Sequence, residues 1–392
     1  MTSEKSSFSV GDGLAVVGGG AMGAGIAALA CERWIPTTLC EVDEAAAAVA
    51  TERVDAIMRR RFQKGAISGA DFEDARSLLR PSAELEAAAG AAIVIEAAPE
   101  NLDLKRDLFA RLAAIAPDAV LASNTSAIPI AELAGGAEFA ARTLGIHFFN
   151  PPGAIRFVEL VRAQDTGAEA LERARGLVAA LGDEVVTVPD GPGFLVNRCA
   201  RPYYLEALRI AERGLASPAR VDRACEELGG FRMGPFRLMD LIGIDVGLAV
   251  ARTLWSAAGE EPRWRPSPIQ AEMVAAGRLG RKSGAGFYSE QGEPLPLPAA
   301  AAASQGGAEP EAILMRIVAQ LVNEAWFAID AGVAAAADID RAMVGALRYP
   351  RGPAAWGEEI GLARVVAVLD ELAGPRDDPT YRVAAGLRAA GS

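Results

Sequence analysis

A chain of 392 residues, 51% hydrophobic and 23% charged, is long enough for two or three domains with sizeable cores. Its formal charge of −12 argues against a nucleic-acid binder, which needs a basic face to neutralise phosphates, but leaves room for a local basic pocket. The four cysteines, at 31, 40, 199 and 225, form no CxxC pair and no zinc spacing, so no metal site is expected and reduced thiols in a cytoplasmic protein are the plain reading.

Residues 1–10 are polar and read as a frayed end. Gly13 to Cys31 is uncharged and long enough to suggest a membrane span. Six of its residues are glycine, and the MTSEKSSFSVGDG before it lacks the basic start of a signal peptide, so no membrane partner is expected. A buried strand, tight turn and packed helix explain the run better. Leu14 to Val17 is the strand, Gly18-Gly19-Gly20-Ala21-Met22-Gly23 the turn, and an alanine-rich helix follows. This is GxGxxG in the context that gives it meaning. Gly18 permits the turn, Gly20 lets a pyrophosphate approach the backbone, and Gly23 lets the helix pack on the strand.

A second strand, Thr37 to Cys40, ends at Glu41, about where an acid binds the adenosine ribose hydroxyls. A carboxylate there repels a 2′-phosphate, which favours NAD over NADP. Asp43 is the competing candidate. Residues 44–80 read as helical. Their cluster Arg59-Arg60-Arg61 with Lys64 is either a solvated helix face or a dock for an anionic ligand. Strands at Ala92–Ile95, Val120–Ala122 and Thr143–Ile146 end at Glu96-Ala97-Ala98-Pro99-Glu100, at Ser123-Asn124-Thr125-Ser126 and at His147. Open α/β sheets bind ligands at such strand ends. His147 is the only histidine, and imidazole is the side chain whose ordinary pKa lies near neutrality. Glu159, twelve residues on, is of the type that orients such a ring. The bland alternative is a core histidine and an unrelated surface acid.

After Val185–Val188 and the loop Pro189-Asp190-Gly191-Pro192-Gly193, the chain turns helical, and Asn197 and Arg198 open the first helix. Gly280-Arg281-Lys282-Ser283-Gly284-Ala285-Gly286-Phe287-Tyr288 is a glycine-rich loop with two cations, and 291–310 reads as a linker. The tail repeats: Glu206-Ala207 with Glu324-Ala325, Gly214 with Gly332, Asp222-Arg223-Ala224 with Asp340-Arg341-Ala342, Gly234-Pro235 with Gly352-Pro353, Ile242-Gly243 with Ile360-Gly361. Each pair is 118 residues apart, the mark of a duplicated helical unit. The expected architecture is an α/β Rossmann-type domain over 11–190, a helical domain over 191–290, the linker 291–310, and a second helical copy over 311–392.

The blocks GGGAMGAGIA, IEAAPENLDLK, SNTSAIPI, GIHFFNPPGAIRFVEL, GFLVNR and GRKSGAGFY, in this order, resemble the 3-hydroxyacyl-CoA dehydrogenases of fatty-acid oxidation over nearly the whole chain. The resemblance implies NAD as cofactor and an acyl-CoA thioester as substrate. It makes His147 the base that takes the 3-hydroxyl proton, with Glu159 as its partner, and gives the substrate oxygen to Ser126 and Asn197. Glu41, Glu100, Lys105, Asn150 and Lys282 fall on family positions that contact NAD, with Gly18, Gly20, Ala21, Met22 and Gly23 of the turn. The basic segment near Arg59 lies where the family binds the CoA nucleotide. Glu41 replaces the commoner aspartate, and Trp34-Ile35-Pro36 replaces a small glycine-containing turn. A related sugar-acid dehydrogenase of the lambda-crystallin type is a rival, suited by Asn-Pro-Pro after the histidine. Asn124-Thr125-Ser126 and His147-Phe148-Phe149 favour the acyl-CoA enzymes. A non-catalytic NAD-binding protein is a third reading, opposed by the joint presence of His147, Glu159, Ser126 and Asn197. The second helical copy lacks the asparagine, carrying Met315 instead, and is expected to stand in for a dimer partner within one chain, which leaves a monomer sufficient.

Overall fold

The computed structural model describes residues 8–9, 11–65, 67–298 and 307–392. The chain divides into two compact units, Met1–Phe194 and Leu195–Ser392. Most of residues 1–10, and residues 299–306 of the expected linker, lie outside the described residues.

The first unit carries β1 (Leu14–Val17), α1 (Ala21–Glu32), β2 (Thr37–Cys40), α2 (Glu44–Gln63), α3 (Gly69–Ser77), β3 (Leu79–Ser82), β4 (Ile93–Glu96), α4 (Leu102–Ile115), β5 (Val120–Ser123), α5 (Ile130–Ala134), β6 (Thr143–Phe148), β7 (Phe157–Arg162), α6 (Ala168–Leu181) and β8 (Glu184–Pro189). They form one sheet in the order β3-β2-β1-β4-β5-β6-β7-β8. The first six strands run parallel in the doubly wound order, and β7 returns antiparallel to β6. β1 and β4 are buried along their whole length, which is why they appear in the sequence as unbroken apolar runs. The apolar run Gly13–Cys31 folds as β1, the glycine turn and the buried helix α1.

The stretch 44–80 is not helical throughout. α2 ends at Gln63, a Ser68–Asp71 capping box starts α3, and Leu79 and Arg80 enter β3. This edge strand is largely exposed and contains Pro81, so it has no apolar run to mark it. Trp34 lies at φ +65°, the left-handed region that favours glycine, where the chain leaves α1. The substitution of the glycine-containing turn noted in the sequence is therefore accommodated at the cost of local strain.

The second unit is helical: α7 (Val196–Glu212), α8 (Pro218–Arg223), α9 (Pro235–Ile242), α10 (Ile244–Ala257), α11 (Pro268–Ala275), α12 (Pro310–Asp330), α13 (Ala336–Leu347), α14 (Pro353–Ile360), α15 (Leu362–Ala373) and α16 (Ala385–Ala390). The repeat is visible element by element: α9 and α14 have bounds 118 residues apart, and α7 and α12 end 118 residues apart. Asp222 accepts hydrogen bonds from the backbone N–H of Phe236 and Arg237, and Asp340 does the same for Ala354 and Ala355. The glycines before these helices are required, because a Cβ on Gly234 would meet Asp222 at 2.4 Å and one on Gly352 would meet Asp340 at 2.1 Å.

The copies meet along α7 and α12 through reciprocal ion pairs. Arg198 Nε lies 3.0 Å from Glu324, and Arg316 Nη2 lies 2.6 Å from Glu206. Arg198 and Arg316 are equivalent in the repeat, as are Glu206 and Glu324. Residue i of one copy thus contacts residue j of the other and the reverse, which is the signature of an isologous interface. Arg263 and Tyr381, also equivalent, add bonds to Glu324 and Glu206. α12 is long and apolar enough to cross a membrane; here it is a core helix of the second unit, with Ile317, Leu321 and Val322 fully buried.

Candidate active site

His147 and Glu159 face each other across β6 and β7 in direct register. Their side chains share one face of the sheet because directly opposed residues in an antiparallel pair do. Nδ1 of His147 lies 2.6 Å from Glu159 Oε2. A carboxylate only accepts, so this bond fixes the Nδ1–H tautomer and leaves Nε2 as the nitrogen that takes a proton. Glu159 is fully buried and His147 is 5% exposed, so the acid is no surface residue. Phe149 and Phe194 pack on the ring at 4.6 and 5.8 Å between centroids. In such surroundings an imidazolium relies on its carboxylate.

Beside β6, the loop after β5 carries Ser126. Asn124 Oδ1 accepts from Phe148 N–H at 2.9 Å, tying this loop to the histidine strand. The Thr125 hydroxyl and the Ser126 amide both donate to Glu100 Oε1. Lys105 is buried, its ammonium 2.6 Å from Glu96 and 3.3 Å from Glu100. Ser123 Oγ and Ala98 N–H complete the shell of Glu96, each at 2.6 Å. One network, buried at Glu96, Lys105 and Ser123 and exposed at Glu100, thus ties together the loops after β4 and β5. Glu100 and Lys105, expected as cofactor contacts, sit inside it. Glu96 is its centre and was not singled out in the sequence, since one strand-end acid looks like another until β4 and β5 are known to be neighbours.

The glycine turn has the shape a dinucleotide needs. A Cβ on Gly18 would lie 2.9 Å from Ala97, and one on Gly23 would lie 1.8 Å from Gly18 O, whereas one on Gly20 would meet nothing within 4 Å. Gly20 is the N-cap of α1, with no side-chain cap and no acid in the first turn, where Ala21 and Met22 stand. That helix end is open to an anion. Glu41 Oε1 accepts from Gly19 N–H, placing the acid on the turn. Asp43 instead caps α2, accepting from Ala46 N–H at 2.7 Å. Arg53, unmarked in the sequence, donates to Gly19 O from α2. Asn150 follows β6 at a cis Asn150–Pro151 bond.

The basic cluster divides. Arg61 pairs with Glu32 at 3.1 Å, whose carboxyl is pushed up by burial, and Arg59, Arg60 and Lys64 are exposed. In the second unit, Asn197 lies in the first turn of α7, and Lys282 lies 2.6 Å from Asp245, whose carboxyl its hydrogen bond holds down.

The 3-hydroxyacyl-CoA dehydrogenase NAD-binding domain family matches residues 13–191, and the C-terminal domain family of the same enzymes matches 193–290 and again 313–391. The chain is 34% identical to the 3-hydroxyadipyl-CoA dehydrogenase of Escherichia coli K12, over 96% of either chain. It is 38% identical to a 3-hydroxybutyryl-CoA dehydrogenase of Mycobacterium tuberculosis, over 70% of this chain and 96% of that one. A crystal structure of a 3-hydroxybutyryl-CoA dehydrogenase from Escherichia coli K12 superposes with a TM-score of 0.90 at 32% identity, covering 97% of this chain and 98% of that one.

Proposed function

The chain belongs to the 3-hydroxyacyl-CoA dehydrogenase family and is an NAD-dependent oxidoreductase of hydroxyacyl-CoA, and from that premise we propose how its residues work. The substrate is an (S)-3-hydroxyacyl-CoA, oxidised to the 3-oxoacyl-CoA and formed from it in reverse. The observation that carries the mechanism is the His147–Glu159 bond, buried on one side and leaving Nε2 on the other. NAD, when bound at the glycine turn, supplies the acceptor for the C3 hydride. His147 Nε2 takes the 3-hydroxyl proton, and Glu159 favours the imidazolium so formed. In reverse the imidazolium protonates the developing alkoxide. Ser126 and Asn197 hold the substrate oxygen. Glu41 receives the adenosine ribose, with Asn150, Glu100, Lys105 and Lys282 as further contacts or supports of the dinucleotide. Arg59, Arg60 and Lys64 attract the CoA phosphates, and the setting is cytoplasmic.

The reciprocal pairs of Arg198 with Glu324 and Arg316 with Glu206 support a second assignment. The second copy occupies the place of a dimer partner, so the chain needs no second subunit to cover α7. Absorbance at the NADH band with acetoacetyl-CoA tests the activity. Oxidation of NADH is expected, with much lower efficiency for NADPH because a 2′-phosphate would meet Glu41. Equal efficiency with both would remove Glu41 from the ribose, and no oxidation would remove the activity.

The relatives' names differ at the acyl end, adipyl in one and butyryl in another. The acyl end has to be read from this chain's own side chains.

A further inference from the structure

Arg201 is a buried guanidinium with no acid partner among the described residues. It is 9% exposed, and its one hydrogen bond runs from Nε to the carbonyl of Asn197, at 3.3 Å. Its guanidinium stacks over Tyr204 at 5.0 Å, and the titratable groups that face it are Tyr204 and Tyr349. Burial lowers its pKa, and only the two tyrosines work against that. Among the described residues of this unit, the other buried charges are satisfied: Glu206 pairs with Arg316, Glu324 pairs with Arg198 and Arg263, and Asp222 and Asp240 accept backbone N–H bonds. Tyr349 is the second orphan. It is 5% exposed, and its hydroxyl has no hydrogen-bond partner among the described residues. Its ring packs on Tyr203 and Phe231, at 5.6 and 5.0 Å. A buried cation with no acid beside it, interacting with a buried hydroxyl that has no partner among the described residues, is costly to keep unless a ligand completes the pair.

The repeat separates function from packing here. Arg198 and Glu206 recur as Arg316 and Glu324, as interface residues should. Asn197 and Arg201 do not, and their equivalents are Met315 and Ala319. The copy without the asparagine is also without the arginine. Arg201 follows Asn197 by one helical turn on the same face of α7, about 6 Å along the axis.

We propose that Arg201 and the Tyr349 hydroxyl form a subsite for a carboxylate at the far end of the acyl chain, making the substrate a short 3-hydroxyacyl-CoA that ends in a carboxylate. A planar guanidinium takes a carboxylate through two parallel N–H bonds, and a phenol hydroxyl adds a third donor. The proposal rests on the reading that Asn197 holds the C3 oxygen. One turn beyond it is the reach of a chain a few carbon–carbon bonds past C3. Tyr349 belongs to the second copy, which therefore contributes to the first copy's site as well as packing against it.

The test compares 3-oxoadipyl-CoA with 3-oxohexanoyl-CoA, which have the same chain length but end in a carboxylate and a methyl group. NADH oxidation by the full chain gives kcat/KM for each. The wild type is expected to favour the carboxylate by ~10²-fold or more, and Arg201→Gln to bring that ratio close to one. Loss of stacking alone would lower both values alike and leave the ratio intact, which would overturn the proposal, as would a wild type that reduces both thioesters equally. Should Arg201→Gln fail to fold, Tyr349→Phe removes one hydroxyl and should lower the ratio by ~10-fold; an unchanged ratio counts against the subsite. If neither thioester is reduced, the dehydrogenase reading itself fails and takes the subsite with it.

Discussion

The two copies of the helical repeat share a frame and differ in what they carry. Both keep the aspartate that caps the Gly-Pro helix, the positive-φ glycines (Gly214 and Gly332 at 65° and 66°), and the arginine and glutamate of the reciprocal pairs. Only the first has Asn197 and Arg201, whose equivalents in the second are Met315 and Ala319. The second copy thus keeps the packing positions and lacks the asparagine to which the proposed mechanism gives the substrate oxygen. The pattern also sorts residues whose roles a single copy leaves ambiguous.

Removing the second copy is the harshest way to break the comparison. A fragment of residues 1–300 exposes the apolar face of α7 and removes Arg316 from Glu206 and Glu324 from Arg198 and Arg263; it should dimerise, aggregate or melt well below the intact chain. A monomer with unchanged melting temperature and activity would show that the copy is no partner. Next come the two arms of the reciprocal pair. Glu324→Ala strands Arg198 and leaves Arg263 with Glu261 alone, and Glu206→Ala strands Arg316 and Arg209. Each should cost ~3–5 kcal/mol in denaturant unfolding, because a buried charge loses its partner. Similar losses confirm the pseudo-symmetry, and a large loss on one side alone breaks it. Asn197→Ala should then lower kcat/KM by ~10²-fold while Met315→Ala leaves it near wild type. Equal losses would erase the division of labour.

The smallest effect is in pH. Burial pushes the Asp222 carboxyl up from 3.8 to about 6 in the folded chain, against its bonds from Tyr288, Phe236 and Arg237. The native state then holds a proton that the unfolded chain has released, so stability from this group is full below about pH 4 and lost as pH rises through 6. Asp340 is shifted in the same direction, also by burial. Asp222→Asn cannot titrate, so the difference in melting temperature between wild type and variant should change across pH 4–6.5 in that sense. A difference that stays flat contradicts the assignment.

Much of this was legible in the sequence because local chemistry carried it. The glycine turn after a buried strand, the repeat at a fixed spacing and the lone histidine needed no tertiary knowledge. Other features depended on neighbours. β3 was hidden because an exposed edge strand with Pro81 has no periodic signature. Glu96 became a centre only through Lys105 and Ser123, which lie on different elements. Arg201 looks like any surface arginine until its burial and missing acid are seen.

The proposed mechanism requires His147 and Glu159 to act as one acid–base unit. Its sharpest test is kcat of His147→Ala and of Glu159→Gln, each beside NADH affinity from cofactor fluorescence. Both substitutions should lower kcat by ~10²–10⁴-fold and leave NADH binding nearly intact. Turnover close to wild type in either variant would contradict that mechanism.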